Sequence, residues 1–217
     1  MTAQRFKYPR TPHLPWSPGF TADDIRQSDA HGFENKDVVI TEKMDGECTT
    51  IYRDYIHARS IDSRHHPSRN WVKALQARLA ADIPDGWRIC GENLYAQHSL
   101  SYSELESYFY VFAIWDENNR CLSWDELLEW AALLKLHTVP VIYRGVWDEQ
   151  KVRTIQVDES KMEGYVVRTA EGFHYSEFSQ HFAKWVRPNH VQTDTHWMKQ
   201  AVVPNQLKKT MEGLDHE

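Results

Sequence analysis

The segment Glu42-Lys43-Met44-Asp45-Gly46 presents a lysine on a glycine turn between two β-rich runs. A lysine amine attacks phosphorus or carbon only when neutral, and at an ordinary pKa of about 10.4 fewer than about one in a thousand is neutral at pH 7. The turn alone is weak evidence, because K-x-D-G arises by chance in about one chain in twenty of this length, and a charged hairpin tip is the plain alternative. Five other segments carry residues of matching chemistry. His57-Ala58-Arg59-Ser60 and Cys90-Gly91-Glu92-Asn93 end strands in an arginine and a carboxylate, and Glu163-Gly164-Tyr165 opens one with a carboxylate. Lys184 lies within the apolar run Ala183 to Arg187, and Phe112 sits in the aromatic run Tyr110 to Trp115. Taken singly, Glu92 and Glu163 read as solvated acids, Phe112 as a core aromatic and Lys184 as a snorkelling edge lysine.

The elements that must position these residues are legible in outline. Asp37 to Glu42, Glu47 to Arg53 and Tyr55 to Arg59 read as strands. Pro67-Ser68 opens a helix to about Ala81, with Ser68 as cap and Trp71, Leu75 and Leu79 at helical spacing. Trp87 to Gly91 and Tyr108 to Trp115 are further strands, and Ser123-Trp124-Asp125-Glu126 is a capping box ahead of an amphipathic helix. Val139 to Tyr143, Gly164 to Thr169 and Phe182 to Val186 complete an α+β set within one domain, residues 37–187. Residues 8–19 hold four prolines, which excludes helix or central strand, so residues 1–36 are expected to wrap over the domain. Residues 188–217 read as a polar helical tail.

Composition narrows the function classes. The 217 residues are 41% apolar and 26% charged, with a net charge of −6, so a nucleic-acid partner needs a local basic groove rather than a global basic field. The longest apolar run, Tyr108 to Trp115, is far short of a membrane span, and the first ten residues lack a signal-peptide core. Three scattered cysteines, Cys48, Cys90 and Cys121, form no disulfide framework, and a reducing, cytoplasmic compartment is the expectation.

The order of the segments resembles that of the covalent nucleotidyltransferases, the superfamily of polynucleotide ligases and mRNA capping enzymes, and most closely phage-type ATP-dependent RNA ligases. Lys43 to Gly46 matches motif I, Arg59 motif Ia, Gly91-Glu92 motif III, Phe112 motif IIIa, Glu163-Gly164 motif IV and Lys184 motif V. Lys43, Glu92, Glu163 and Lys184 follow one another at intervals of 49, 71 and 21 residues. The resemblance implies an adenylylation domain of antiparallel sheets flanked by helices around an ATP-grasp-like cleft. It implies ATP with Mg2+ or Mn2+ as cofactors, and RNA with 5′-phosphate and 3′-hydroxyl ends as partner, prepared by an end-healing kinase or phosphatase. Lys43 would form lysyl-AMP. Lys184 and a metal held by Glu163 and Asp45 would lower the lysine's pKa and stabilise the transition state. Glu42, Arg59, Glu92, Phe112, Lys184 and Arg187 would contact the nucleotide, with Arg59 and Glu92 on the ribose and Phe112 stacked on adenine.

Two positions depart from the pattern. Motif V often carries a second lysine two residues on, where Val186 stands, leaving Arg187 as the candidate cation; Cys48 replaces a common asparagine after motif I. Only 30 residues follow Arg187 and 42 precede Lys43, so no oligonucleotide-binding-fold domain is expected, and ATP is expected over NAD. Neither His65-His66 nor the run from His190 through Asp194 to His196 makes a convincing metal site, His98-Ser99 lacks a GxSxG elbow and reads as loop, and Lys199, Lys208 and Lys209 read as a solvated helix face. The alternatives are a minimal DNA ligase, or a nucleotide- or RNA-binding module without turnover.

Overall fold

Short, largely apolar strands build two facing sheets with helices and loops on their outer sides. The structure is a computed structural model and describes residues 4–188 and 201–209. In chain order the strands are β1 (Asp37–Lys43), β2 (Glu47–Tyr52), β3 (Ile56–Ala58), β4 (Arg88–Asn93), β5 (Phe109–Trp115), β6 (Arg120–Cys121), β7 (His137–Thr138), β8 (Val141–Val146), β9 (Gly164–Thr169), β10 (Phe173–His174) and β11 (Phe182–Val186). The helices are α1 (Asn70–Leu79), α2 (Trp124–Leu133), α3 (Glu149–Arg153) and α4 (Phe178–His181). One sheet has the order β11-β9-β1-β8 and is antiparallel throughout. The other runs β10-β6-β5-β4-β2-β3, with β7 added alongside β5 as the parallel exception.

Three apolar clusters hold these layers. Between the sheets lie Cys90, Ala113, Trp115 and Cys121 from one and Phe182 from the other, together with Tyr8 and Phe178. Behind the larger sheet, Val72, Leu75 and Leu79 of α1 and Trp124 and Leu127 of α2 pack on Ile51, Ile89 and Ile114. Behind the smaller sheet, Leu14, Ala30 and Phe33 join Val152 of α3 over Val38, Ile40 and Val167. The inner strands β1, β5 and β9 are therefore buried on both faces, which explains their nearly continuous apolar runs, while the edge strand β8 stays largely exposed.

The proline-rich segment lies along the edge of β11. Leu14 N donates to Lys184 O, Lys184 N to Pro12 O and Gly19 N to Val186 O, which satisfies an edge that would otherwise expose its ladder groups.

Four expectations need correction. Ser68 does not cap a helix; Pro67 instead starts a 3-10 turn, Pro67–Arg69, whose cap is the His66 imidazole accepting from Ser68 N, and α1 follows from Asn70 without a side-chain cap. Five short elements, β6, β7, β10, α3 and α4, are absent from the sequence reading, since two to five residues are too few for periodicity to register. The larger sheet is not purely antiparallel. Residues 201–209 are extended rather than helical, bridging Pro204 to Ala96 and Leu207 to Leu105; Pro204 lacks an N–H and disfavours helix in the residue before it. The remainder of the expected tail helix, with His190, Asp194, His196 and Lys199, lies outside the described residues. Among the described residues no helix is long and apolar enough to cross a membrane.

Gly164 is the close-packed point of the smaller sheet: a Cβ there would lie 2.0 Å from Trp185 O on β11. Gly164→Ala is expected to destabilise the fold by more than about 2 kcal/mol, because backbone rather than a flexible side chain blocks the added carbon. Urea unfolding of the two proteins measures this; equal midpoints would contradict it.

Candidate active site

Strand register brings the lysine to its partner. In the antiparallel β1–β9 pair, Lys43 stands opposite Gly164, so Glu163, one residue ahead, reaches the same strand end. Lys43 Nζ donates to Glu163 Oε2 at 2.5 Å. From the facing sheet, Glu92 on β4 accepts from Gly46 N through Oε1 at 3.1 Å. Gly46 permits this approach: a Cβ there would lie 2.5 Å from Asn93 O and 3.1 Å from Glu92 Cγ. The two sheets thus enclose a cleft of about 880 Å³ lined by Glu42, Lys43, Asp45, Arg59, Glu92, Phe112, Glu163 and Lys184. Eight of the nine expected residues face one space; Arg187 reaches its wall indirectly.

Lys43 and Lys184 each have a carboxylate partner, Glu163 and Asp24. Burial works against the charged form of Lys43, but Glu163 and Glu92, with Asp45 behind them, outweigh it and hold the ammonium well above the ordinary lysine pKa. Among the chain's own residues the carboxylates outweigh the cations around the lysine; the expected lowering depends on a metal as well as on Lys184. Burial pulls the Lys184 pKa down, Lys43 adds to the effect and Asp24 opposes it. Burial pushes Glu92 up to about 8, with Glu163 and Asp45 adding and Lys43 opposing, and burial also raises Glu42. The Cys48 thiol is raised by burial and by Glu92, which makes it a poor nucleophile.

Several contributing residues escape sequence reading because they are distant in the chain. Asp24 Oδ1 lies 3.6 Å from Lys184 Nζ, and Asp24 Oδ2 accepts from Thr21 Oγ1 at 2.7 Å. Buried His13 faces that carboxylate, its Nε2 3.4 Å from Asp24 Oδ2. Tyr8 packs edge-on against Phe112, with centroids 5.1 Å apart. The His98-Ser99 loop does line the cleft: Asp45 Oδ2 accepts from Ser99 Oγ at 2.6 Å and from Leu100 N at 2.7 Å. Arg187 donates to the same Ser99 hydroxyl at 3.1 Å, and its backbone N donates to Glu163 O. Val186 points into the buried core, while Trp185 stacks on Tyr165 at 5.6 Å.

Among the described residues no group of three or more His, Cys, Asp or Glu side chains could hold a metal by itself. The donors nonetheless suit Mg2+ or Mn2+, which take one or two carboxylates and complete their shell with water and substrate phosphates. Glu163 lines the cleft with Oε2 bonded to Lys43. Asp45 has Oδ2 occupied by two donors and would have to use its other oxygen.

The raised Glu92 pKa has a stability signature. Its folded value of about 8 exceeds the ordinary 4.5, so the native state holds a proton that the unfolded chain releases, and this contribution is lost as pH rises from about 4.5 to 8. Lys43 stays charged across that window. Urea unfolding at pH 5 and pH 8 should show the unmodified protein losing stability relative to Glu92→Gln as pH rises, since the amide keeps an acceptor for Gly46 N. Parallel pH profiles would contradict the assignment.

Three comparisons bear on this geometry. The RNA ligase family model matches residues 36–186. No curated protein matches the chain in sequence. Among solved structures, an RNA ligase of Naegleria gruberi with PPi superposes with a TM-score of 0.52 at 17% identity, over 84% of this chain and 61% of that one. A variant of the Naegleria ligase with ATP and Mn gives 0.51 at 17% identity, over 72% of this chain and 51% of that one. A putative ATP-dependent DNA ligase from Aquifex aeolicus gives 0.55 at 19% identity, over 84% and 50%. These similarities establish the fold, an α+β nucleotidyltransferase domain, and this chain spans about half the length of several of the chains it matches. With its family match extending over well more than half its length and its motif residues gathered around Lys43, the chain belongs to the RNA ligase family.

Proposed function

We propose that the protein is an ATP-dependent RNA ligase that works through a lysyl-AMP intermediate. The observation that carries this reading is the convergence of Lys43, Glu92, Phe112, Glu163 and Lys184 on one cleft, whose volume of about 880 Å³ falls in the range of small-molecule sites. Phe112 offers the adenine a face, and Arg59 and Glu92 the ribose hydroxyls. Lys43, once its proton has passed to Glu163 or to water, attacks the α-phosphorus of ATP; an N–P bond forms and the bond to pyrophosphate breaks. An oxygen of the RNA 5′-phosphate then displaces the lysine amine and takes AMP. Finally a 3′-hydroxyl attacks that 5′-phosphate, closing the phosphodiester as AMP leaves. Lys184 and Arg187 supply positive charge beside the oxygens where negative charge accumulates. Mg2+ or Mn2+, held by Glu163 with Asp45 as the second candidate, would add charge neutralisation to these steps when bound. The placement of these chemical steps inside cells, in the cytoplasm and alongside an end-healing kinase or phosphatase, belongs to the same proposal.

A DNA-joining activity is the second reading, favoured by the likeness to the Aquifex DNA ligase. A 2′-hydroxyl is the group that distinguishes the two strands. A nick with ribose at the 3′-hydroxyl side is expected to close faster than its deoxyribose counterpart, and equal rates would favour the DNA reading.

Incubation with α-labelled ATP and Mg2+ or Mn2+ should leave label on the protein, and Lys43→Ala should abolish it. Lys43→Ala should still join a strand supplied with AMP already on its 5′-phosphate, while Glu163→Ala should be impaired in both assays by at least about tenfold, within the range for one electrostatic contact. Persistent label in Lys43→Ala would remove Lys43 as nucleophile, and full joining by Glu163→Ala would remove the metal assignment.

A further inference from the structure

Asn205 is a buried polar residue in an extended segment that no motif includes, with 2% of its surface exposed. Its side-chain amide donates to Leu94 O at 2.8 Å and to Ala96 O at 3.3 Å, and its Oδ1 accepts from Tyr102 N at 2.8 Å. Its backbone N donates to Tyr95 O at 2.8 Å, and its backbone O accepts from Tyr108 Oη at 3.0 Å. All five bonds end on one stretch, residues 94–108. Neighbouring bonds extend the clamp, from Gln97 N to Val203 O, Gln206 N to Tyr102 O and Lys208 N to Leu105 O.

The clamped stretch in turn holds the lysine turn at three points. Ser99 Oγ and Leu100 N donate to Asp45 Oδ2, and Asp45 N donates to Tyr102 Oη at 2.9 Å. Tyr102 joins the two halves directly, its N on Asn205 and its hydroxyl on the turn. Lys43 itself is held by β1 and by Glu163, while the Asp45–Gly46 side of its turn has no helix of its own and is held by this loop and by Glu92. A buried, fully bonded amide fixes geometry because leaving any of its partners unsatisfied costs free energy.

We propose that Asn205 is a positioning residue: the segment 201–209 straps the 94–108 loop in the conformation that aims the Lys43–Gly46 turn at the nucleotide. The inference rests on the ligase reading for its catalytic consequence and on geometry alone for its structural one. Loss of the strap should leave the nucleotide-contacting residues Phe112 and Arg59 in place while misaligning the nucleophile. The maximal rate of lysine adenylylation should therefore fall more than the half-saturating ATP concentration changes.

Single-turnover labelling with ATP and Mg2+ should show Asn205→Ala slowed at least tenfold at saturating ATP, with half-saturation within about twofold of the unmodified protein. Val152→Ala, a core truncation on α3 outside the cleft, controls for lost stability and should keep the unmodified rate per folded molecule. Hydrogen exchange supplies a readout independent of activity: the Asp45 and Leu100 amides should lose protection in Asn205→Ala but not in Val152→Ala. If Asn205→Ala does not fold, Tyr108→Phe, which deletes one bond to Asn205, should show the same changes at smaller size. An unmodified rate, or unchanged protection at Asp45 and Leu100, would overturn the proposal. Failure of the unmodified chain to take label would overturn the ligase reading instead, and the exchange measurement would then decide the strap alone.

Discussion

The ion pair between Lys43 and Glu163 is the interaction around which the site is organised. It forms at the end of a strand pair whose register sets Lys43 opposite Gly164, and the absence of a side chain at Gly164 lets β11 close on the other side, carrying Lys184 into the same space. The facing sheet brings Glu92 against the backbone of the lysine turn. The cleft is thus a product of sheet geometry: two twisted layers meet where their strands end, and charged residues unsuited to the apolar space between them collect at the opening.

In this arrangement both cleft lysines are engaged by carboxylates. Glu163 and Glu92 overcome the desolvation that would otherwise ease the lysine toward its neutral form, so the amine is held as an ammonium and ordered in direction. Lys184 is likewise occupied by Asp24. Binding of a polyphosphate with its divalent cation would redistribute these pairings, giving Glu163 a cation other than Lys43 and Lys184 an anion other than Asp24. Under the proposed ligase reading, that exchange of partners would release the Lys43 amine to act as nucleophile.

What could be read from the sequence was local. The glycine turn at Lys43, the strand-end carboxylates Glu92 and Glu163, Phe112 and Lys184 stood out because residue type and strand pattern coincide over a few positions, and the Ser123–Glu126 capping box appears in the structure with both of its bonds. Partnerships across the fold were hidden. Nothing near Asp24 in the chain announces a contact with Lys184, nothing in His98-Ser99 marks it as the support of Asp45, and Asn205 sits in a polar stretch that reads as solvated helix. Such contacts follow from how the chain folds back on itself, which short-range periodicity does not encode. The start of α1 was misplaced for a different reason: His66 and Pro67 settle into a 3-10 turn that competes locally with the cap expected at Ser68.

The most direct test of the central claim is the titration of Lys43 itself, followed in the free protein by pH-dependent acylation of each lysine and peptide mass spectrometry, with exposed Lys161 as internal reference. The account predicts that Lys43 in the free protein becomes reactive only at a pH above that of Lys161, and that adding Mg2+ with a non-hydrolysable ATP analogue, or substituting Glu163→Gln, brings its reactivity to lower pH. A Lys43 that reacts in the free protein at the same pH as Lys161 or below it would contradict the ion pair as the element on which the site depends.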